Sequence, residues 1–267
     1  MKRLVLFMLP LLLVFVAFQQ PVYTLIRQIP VEAYFLGTDN LGNAYVLSNA
    51  HDLNKYKPDG SFYSTQNIKV NGNISSIDVS NTLQVNLFYR NLNRVVILDN
   101  LLAVRGEVNL QDLGIVQASA SARSFDNGIW VFDNTDLQLK KIDKDLKRIT
   151  QQSGNVRMYT EKGTIIQPNF IIDNGSRVFV NNPSRGILVF DVFAQYLKTI
   201  PLKGLDHFQV LNDELIYFEH NRLNTYHLAT ARKDIISIPD SADVIDARVE
   251  KNRLYLLRKN GLTLYAY

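Results

Sequence analysis

The chain has 267 residues, a formal net charge of +4 and no cysteine. Its length suits one large all-β domain or two small ones. The missing thiol excludes disulfides, Cys-ligated zinc, a thiol nucleophile and a lipid-modified N-terminal cysteine. Without Lys2 and Arg3 of the leader, 27 basic residues face 25 acidic ones, a balance that calls for no nucleic-acid partner. Lys140-Lys141 and Lys147-Arg148 are the densest basic pairs and read as solvated strand or turn positions.

Residues 1–20 read as an address. Lys2 and Arg3 precede a run from Leu4 to Phe18 that is apolar throughout. About fifteen apolar residues is the length of a signal peptide and short for a spanning helix. The sequence therefore predicts export of a domain over 21–267, to the periplasm, the outer envelope or the medium. Membrane contact is expected only through an uncleaved N-terminal segment.

The next strand-like stretch, Val22–Ile29, stands alone. After it comes a repeating meander. Asp39 to Phe62 reads as turn, strand, turn, strand, tight turn, strand, with Asp59-Gly60 as a hairpin signal. The same grammar returns five times, and the middles of its first strands are Tyr45, Leu87, Trp130, Phe179, Tyr217 and Tyr255. Their spacing is about 40 residues, the length of one four-stranded propeller blade. In the next strand, Tyr56, Ile97, Ile142, Phe190, Tyr226 and Tyr265 are the expected partners. Innermost strands are expected at Ala33–Leu36, Ile74–Val79, Val116–Ala120, Asn169–Ile172, His207–Leu211 and Val244–Val249. The sixth unit ends at Tyr267 without an outer strand. Val22–Ile29 fills that gap if the ring closes by joining the two ends. The prediction is an all-β, six-bladed β-propeller of four-stranded antiparallel blades, closed by an N-terminal strand.

Asp39, Gly42, Asn43, Tyr45, Val46, Tyr56, Pro58, Asp59, Gly60 and Phe62 resemble one NHL repeat, and Asn182 to Asp191 resembles part of a second. The resemblance implies the fold, and it implies binding of proteins or other ligands more often than catalysis.

No GxSxG, P-loop or GxGxxG motif is present, and the four histidines lack metal-ligand spacing. The turns between second and third strands share a face with the loops between blades. On that face His51, Arg94, Arg185, His220 and Arg222 are candidate binding residues. A ring of Arg94, Arg185 and Arg222 suits a partner's carboxylates, or each arginine braces its own loop. Phe193 and Tyr196, at an outer hairpin, are candidates for docking a partner on the side or for packing beneath the blade edge. Under the hydrolase alternative alone, a divalent channel cation of the kind lactonase-type propellers hold would take Glu32, Asn169 and Asp246 as oxygen ligands, a trio that any six-fold repeat rich in Asn and Asp can offer. The expected function is a non-enzymatic, protein-binding or scaffold subunit with no cofactor, in the envelope or outside the cell. A metal-dependent hydrolase and a sugar- or peptide-binding module stay open as alternatives.

Overall fold

The computed structural model describes residues 22–68 and 72–267, so the leader expected over 1–20 lies outside the described residues. Among the described residues no helix is long and apolar enough to cross a membrane. The chain opens with β1 (Thr24–Pro30). Blade 1 follows as β2 (Ala33–Thr38), β3 (Ala44–Ser48), β4 (Asp52–Tyr56) and β5 (Phe62–Asn67). Blade 2 is β6 (Ser76–Asn81), β7 (Gln84–Tyr89), β8 (Arg94–Leu98) and β9 (Val104–Asn109). Blade 3 is β10 (Ala118–Arg123), β11 (Ile129–Asp133), β12 (Gln138–Ile142) and β13 (Ile149–Gln152). Blade 4 is β14 (Phe170–Asp173), β15 (Arg177–Asn182), β16 (Gly186–Asp191) and β17 (Tyr196–Ile200). Blade 5 is β18 (Gln209–Leu211), β19 (Glu214–Glu219), β20 (Arg222–His227) and β21 (Lys233–Ile236). Blade 6 takes β22 (Val244–Glu250), β23 (Arg253–Arg258) and β24 (Gly261–Ala266), with β1 as its outermost strand. The ring is thus a closed six-bladed propeller, joined where the sequence places the closure.

Alternation within each blade builds the core. Val178 and Val180 of β15 pack with Trp130 and Phe132 of blade 3, while Phe179 between them packs with Leu215 and Tyr217 of blade 5. A second strand is buried on both faces and therefore reads as a continuous apolar run, as in the IWVFD of β11. Six apolar clusters result, one at each junction between neighbouring blades.

The cross-strand pairs expected from the aromatics are displaced. Tyr45 pairs with Lys55, Trp130 with Lys141, and Tyr217 with Asn224. Tyr56 lies opposite Ala44 instead, on the face turned to blade 6. A slip of one residue exchanges the two faces of a strand, so in blades 1 and 3 the central aromatic and its expected partner serve different junctions.

The true pairing also corrects the reading of Lys140 and Lys141, which are buried and not solvated. Lys140 Nζ contacts Asp133 at 2.7 Å and also Asp136. Lys141 bonds Asp126 at 2.7 Å and lies over the Trp130 ring, 5.3 Å from its centre. Lys55 does the same over Tyr45 at 5.1 Å. Blades 1 and 3 therefore share a buried lysine set across from the central aromatic, where its stem fills space and its ammonium meets the ring face.

A further repeat lies in the turns between third and fourth strands. Asp99, Asp143 and Asp191 each accept backbone N–H groups of the turn that follows. Three residues on, Leu102, Leu146 and Ala194 adopt φ of 66°, 59° and 66°. The carboxylate holds the turn, so the left-handed position needs no glycine.

Candidate functional site

The inner strands surround an axial cavity of about 640 Å³. One charged wall is β22, which reads VIDARVE and lends Arg248 and Glu250 to the lining. The register shifts between Val244 and Asp246, and from there the strand alternates strictly. Ala247 and Val249 enter the core between blades 5 and 6. Asp246, Arg248 and Glu250 share the opposite face, and of these Arg248 and Glu250 line the cavity.

Asp246 is buried and held from several directions. His207 Nε2 lies 3.0 Å from its Oδ2, Arg248 Nε lies 3.5 Å from the same oxygen, and the Ala247 N–H donates to its Oδ1 at 2.8 Å. Burial pushes its carboxyl up, but the Arg248 guanidinium and His207 outweigh that and hold it below the usual carboxylate range. The hydrogen bond fixes the His207 ring through Nε2, and the Phe170 ring meets it edge-on at 6.4 Å. One level deeper, Gln209 Nε2 donates to the Val249 carbonyl and to Thr38 Oγ1, while its Oε1 accepts from the Val249 N–H. Gln209 thus ties blades 5, 6 and 1 together across the channel floor.

Glu250 ends the wall. Burial raises its carboxyl, Lys251 pulls it back and Asp39 adds a like charge, leaving it at about 7. In the unfolded chain it ionises near the ordinary value of about 4.3. The folded state is therefore penalised as pH rises through that window, and the penalty is complete above the folded value. Glu250→Gln is expected to stabilise the protein by about 1 kcal/mol at pH 8, after allowance for solvent screening at this half-buried site. At pH 4 it should change nothing. Thermal melts at the two pH values check this, and equal effects at both would refute it.

The sequence-derived candidates divide. Asn169 and His207 both line the cavity. Asn169 spends its Nδ2 on the Asp206 carbonyl and its Oδ1 on Asn181. Glu32 is exposed, outside the cavity lining, and its carbonyl receives the Asn49 N–H. Glu32 and Asp246 thus differ in setting, the first exposed and the second buried. Among the described residues no group of three or more His, Asp and Glu stands where it could hold a metal ion. Arg94 pairs with Glu107 at 3.3 Å and Arg185 with Glu161 at 2.7 Å. Arg222 and His220 are exposed, the latter 3.5 Å from Glu219. His51 occupies a left-handed turn position, φ 66°, and its carbonyl accepts from Ile68. Phe193 stands 65% exposed, whereas Tyr196 stacks on Tyr159 with ring centres 4.4 Å apart. The aromatic pair thus splits into one presented and one packed ring.

Two features escape the sequence reading. One is the Asp246–Arg248–Glu250 wall, whose signal is the alternation of charge with Ala247 and Val249. The other is Leu41, Leu83 and Phe125, all exposed and all in the turn between first and second strands of blades 1, 2 and 3. Its signal is an apolar residue recurring within a polar turn.

Fold and site define a closed six-bladed β-propeller with a polar wall in its axial cavity. BamB from Moraxella catarrhalis is similar over 92% of this chain and 98% of that chain, at 13% identity and a TM-score of 0.58. The Pan2 WD40 domain of Neurospora crassa is similar over 91% and 95%, at 8% identity and a TM-score of 0.58. A catalytically inactive virginiamycin B lyase from Staphylococcus aureus, solved with quinupristin, is similar over 92% and 100%, at 11% identity and a TM-score of 0.58. No family model and no curated protein matches the sequence. At these identities the likeness is one of fold.

Proposed function

We propose that this chain is an exported, non-enzymatic propeller that serves as a protein-binding or scaffold subunit in the cell envelope or outside the cell. One observation carries the reading. Leu41, Leu83 and Phe125 are exposed by 53%, 75% and 47% at the same turn of three successive blades. Their turns are tied together and to their neighbours. Thr82 Oγ1 donates to Asp39 at 2.9 Å, and the Phe125 N–H donates to Asp173 at 3.0 Å. Rigid apolar anchors with polar surroundings lose little entropy on docking, which suits a protein partner. The exposed Phe193 lies on the same face, in the turn between β16 and β17. The acidic groups nearby support binding over chemistry, because Asp173 is already occupied by Ser124, Phe125, Trp130 and Gly175.

A photo-crosslinking residue at position 83 or 125, expressed in the native cell, should give one discrete adduct. The same residue at the outer edge position 233 should give none, and fractionation should place the protein outside the cytoplasm. A cytoplasmic protein, or the absence of an adduct specific to positions 83 and 125, would overturn the proposal.

A further inference from the structure

We propose that the axial cavity holds a binding site for a carboxylate carried on an apolar body, with Arg248 as the residue that grips the anion. The Arg248 side chain is only 8% exposed, and it lines the cavity. Its contact with Asp246 runs through Nε at 3.5 Å, which is too long for a good hydrogen bond. That Nε has no hydrogen-bond partner, and among the described residues the two terminal nitrogens donate to no protein acceptor. A buried guanidinium with idle donors is costly unless something accepts from them.

The surroundings select the ligand. Phe35, Ile77, Val79, Phe170, Ile172 and Phe208 supply apolar wall, and the volume of about 640 Å³ is that of a small-molecule site. A planar fork of two N–H groups matches a carboxylate in both geometry and charge. The ligand must carry a single negative charge. Asp246 already offsets part of the arginine's charge, and Glu250, Asp78, Asp173 and Asp206 border the channel, so a dianion meets repulsion. Arg90 and Arg123 line the same cavity from its two ends, and each also has a buried Nε without a partner. They add positive potential along the route in. This site is separate from the partner-docking face proposed above, and it stands without it.

The test titrates decanoate and decanamide into the purified domain by calorimetry. A tetrapeptide of leucine, with a free or an amidated C-terminus, forms a second pair. A charge-assisted bond to a buried guanidinium should separate acid from amide by about tenfold or more. Preference for decanoate points to a free organic acid, and preference for the free-ended peptide to a chain terminus. Either supports the site. Arg248→Lys, which keeps the charge and loses the fork, should reduce the preference for the acid while leaving the amide's affinity unchanged. If that variant fails to fold, Ile172→Trp, which narrows the apolar wall, should weaken the acid and the amide together. Equal binding of acid and amide in both pairs, no saturable binding of either acid, or full acid preference in Arg248→Lys would overturn the proposal.

Discussion

Asp39→Ala is expected to destabilise the propeller by about 3–5 kcal/mol, the range for stripping a buried polar network of its centre. Asp39 is fully buried, and its two oxygens accept five hydrogen bonds. Oδ1 takes the N–H groups of Leu41 and Asn43 at 2.9 and 3.0 Å. Oδ2 takes Asn43 Nδ2 at 2.7 Å, the Tyr45 hydroxyl at 2.9 Å and the Thr82 hydroxyl at 2.9 Å. One carboxylate therefore closes its own turn, fixes the central aromatic of blade 1 and fastens blade 1 to blade 2. Burial and the neighbouring Asp39 charge push the Tyr45 phenol up, so it stays protonated and donates. Removing the carboxylate leaves these donors stranded inside the protein. Asp39→Asn should cost less, about 1–3 kcal/mol, because its oxygen can still accept both backbone N–H groups. Its amide nitrogen, however, meets the Asn43 amide donor to donor. Chemical denaturation of both variants checks the order. An alanine variant within about 1 kcal/mol of wild type, where surface substitutions fall, would show that Asp39 is no such centre.

Asp39 also shows what sequence can and cannot reveal. Its spacing to Gly42, Asn43 and Tyr45 carried the repeat signal, because a turn that must cap itself needs those residue types in that order. Blade count and closure were legible for the same reason, since turn chemistry and strand periodicity are local. The cross-strand pairs were not, because aromatics on either face of a strand look alike until the register is known. Lys140 and Lys141 were misread on similar grounds. A lysine's burial depends on an acid or ring brought from another strand or turn, here Asp133, Asp126 and Trp130. His207 and Asp246 stand 39 residues apart in the chain, and only the packing of blade 5 against blade 6 makes them neighbours. Arg94 and Arg185 read as turn residues before third strands, but their carboxylate partners Glu107 and Glu161 come from other parts of the blade and loop.

Deleting residues 22–30 is expected to have the other large effect, and it should act on assembly as much as on stability. β1 pairs with β24 from Thr24 opposite Ala266 to Pro30 opposite Gly261. The strand itself is mostly exposed. Its ladder bonds roughly offset the entropy of ordering it. What remains is apolar cover. Ile26 and Ile29 pack against the junction of blades 6 and 1, and Tyr23 meets Tyr265 and Tyr267 edge-on at 6.1 and 5.6 Å. Three half-buried side chains contribute about 3 kcal/mol, a substantial share of the 5–15 kcal/mol typical of a domain. The truncated ring should therefore still fold at low temperature, with a lower Tm. It would then present the whole of β24 as an unpaired edge, a template for another copy of itself. Light scattering should show dimers or larger species, and a synthetic peptide of residues 22–30 should restore both the monomer and the Tm. A truncated protein that stays monomeric with an unchanged Tm would mean that β1 is dispensable. If the expectation holds, the fold sets a limit on truncation: a cut beyond Tyr23 would begin to unzip the strand that closes the ring.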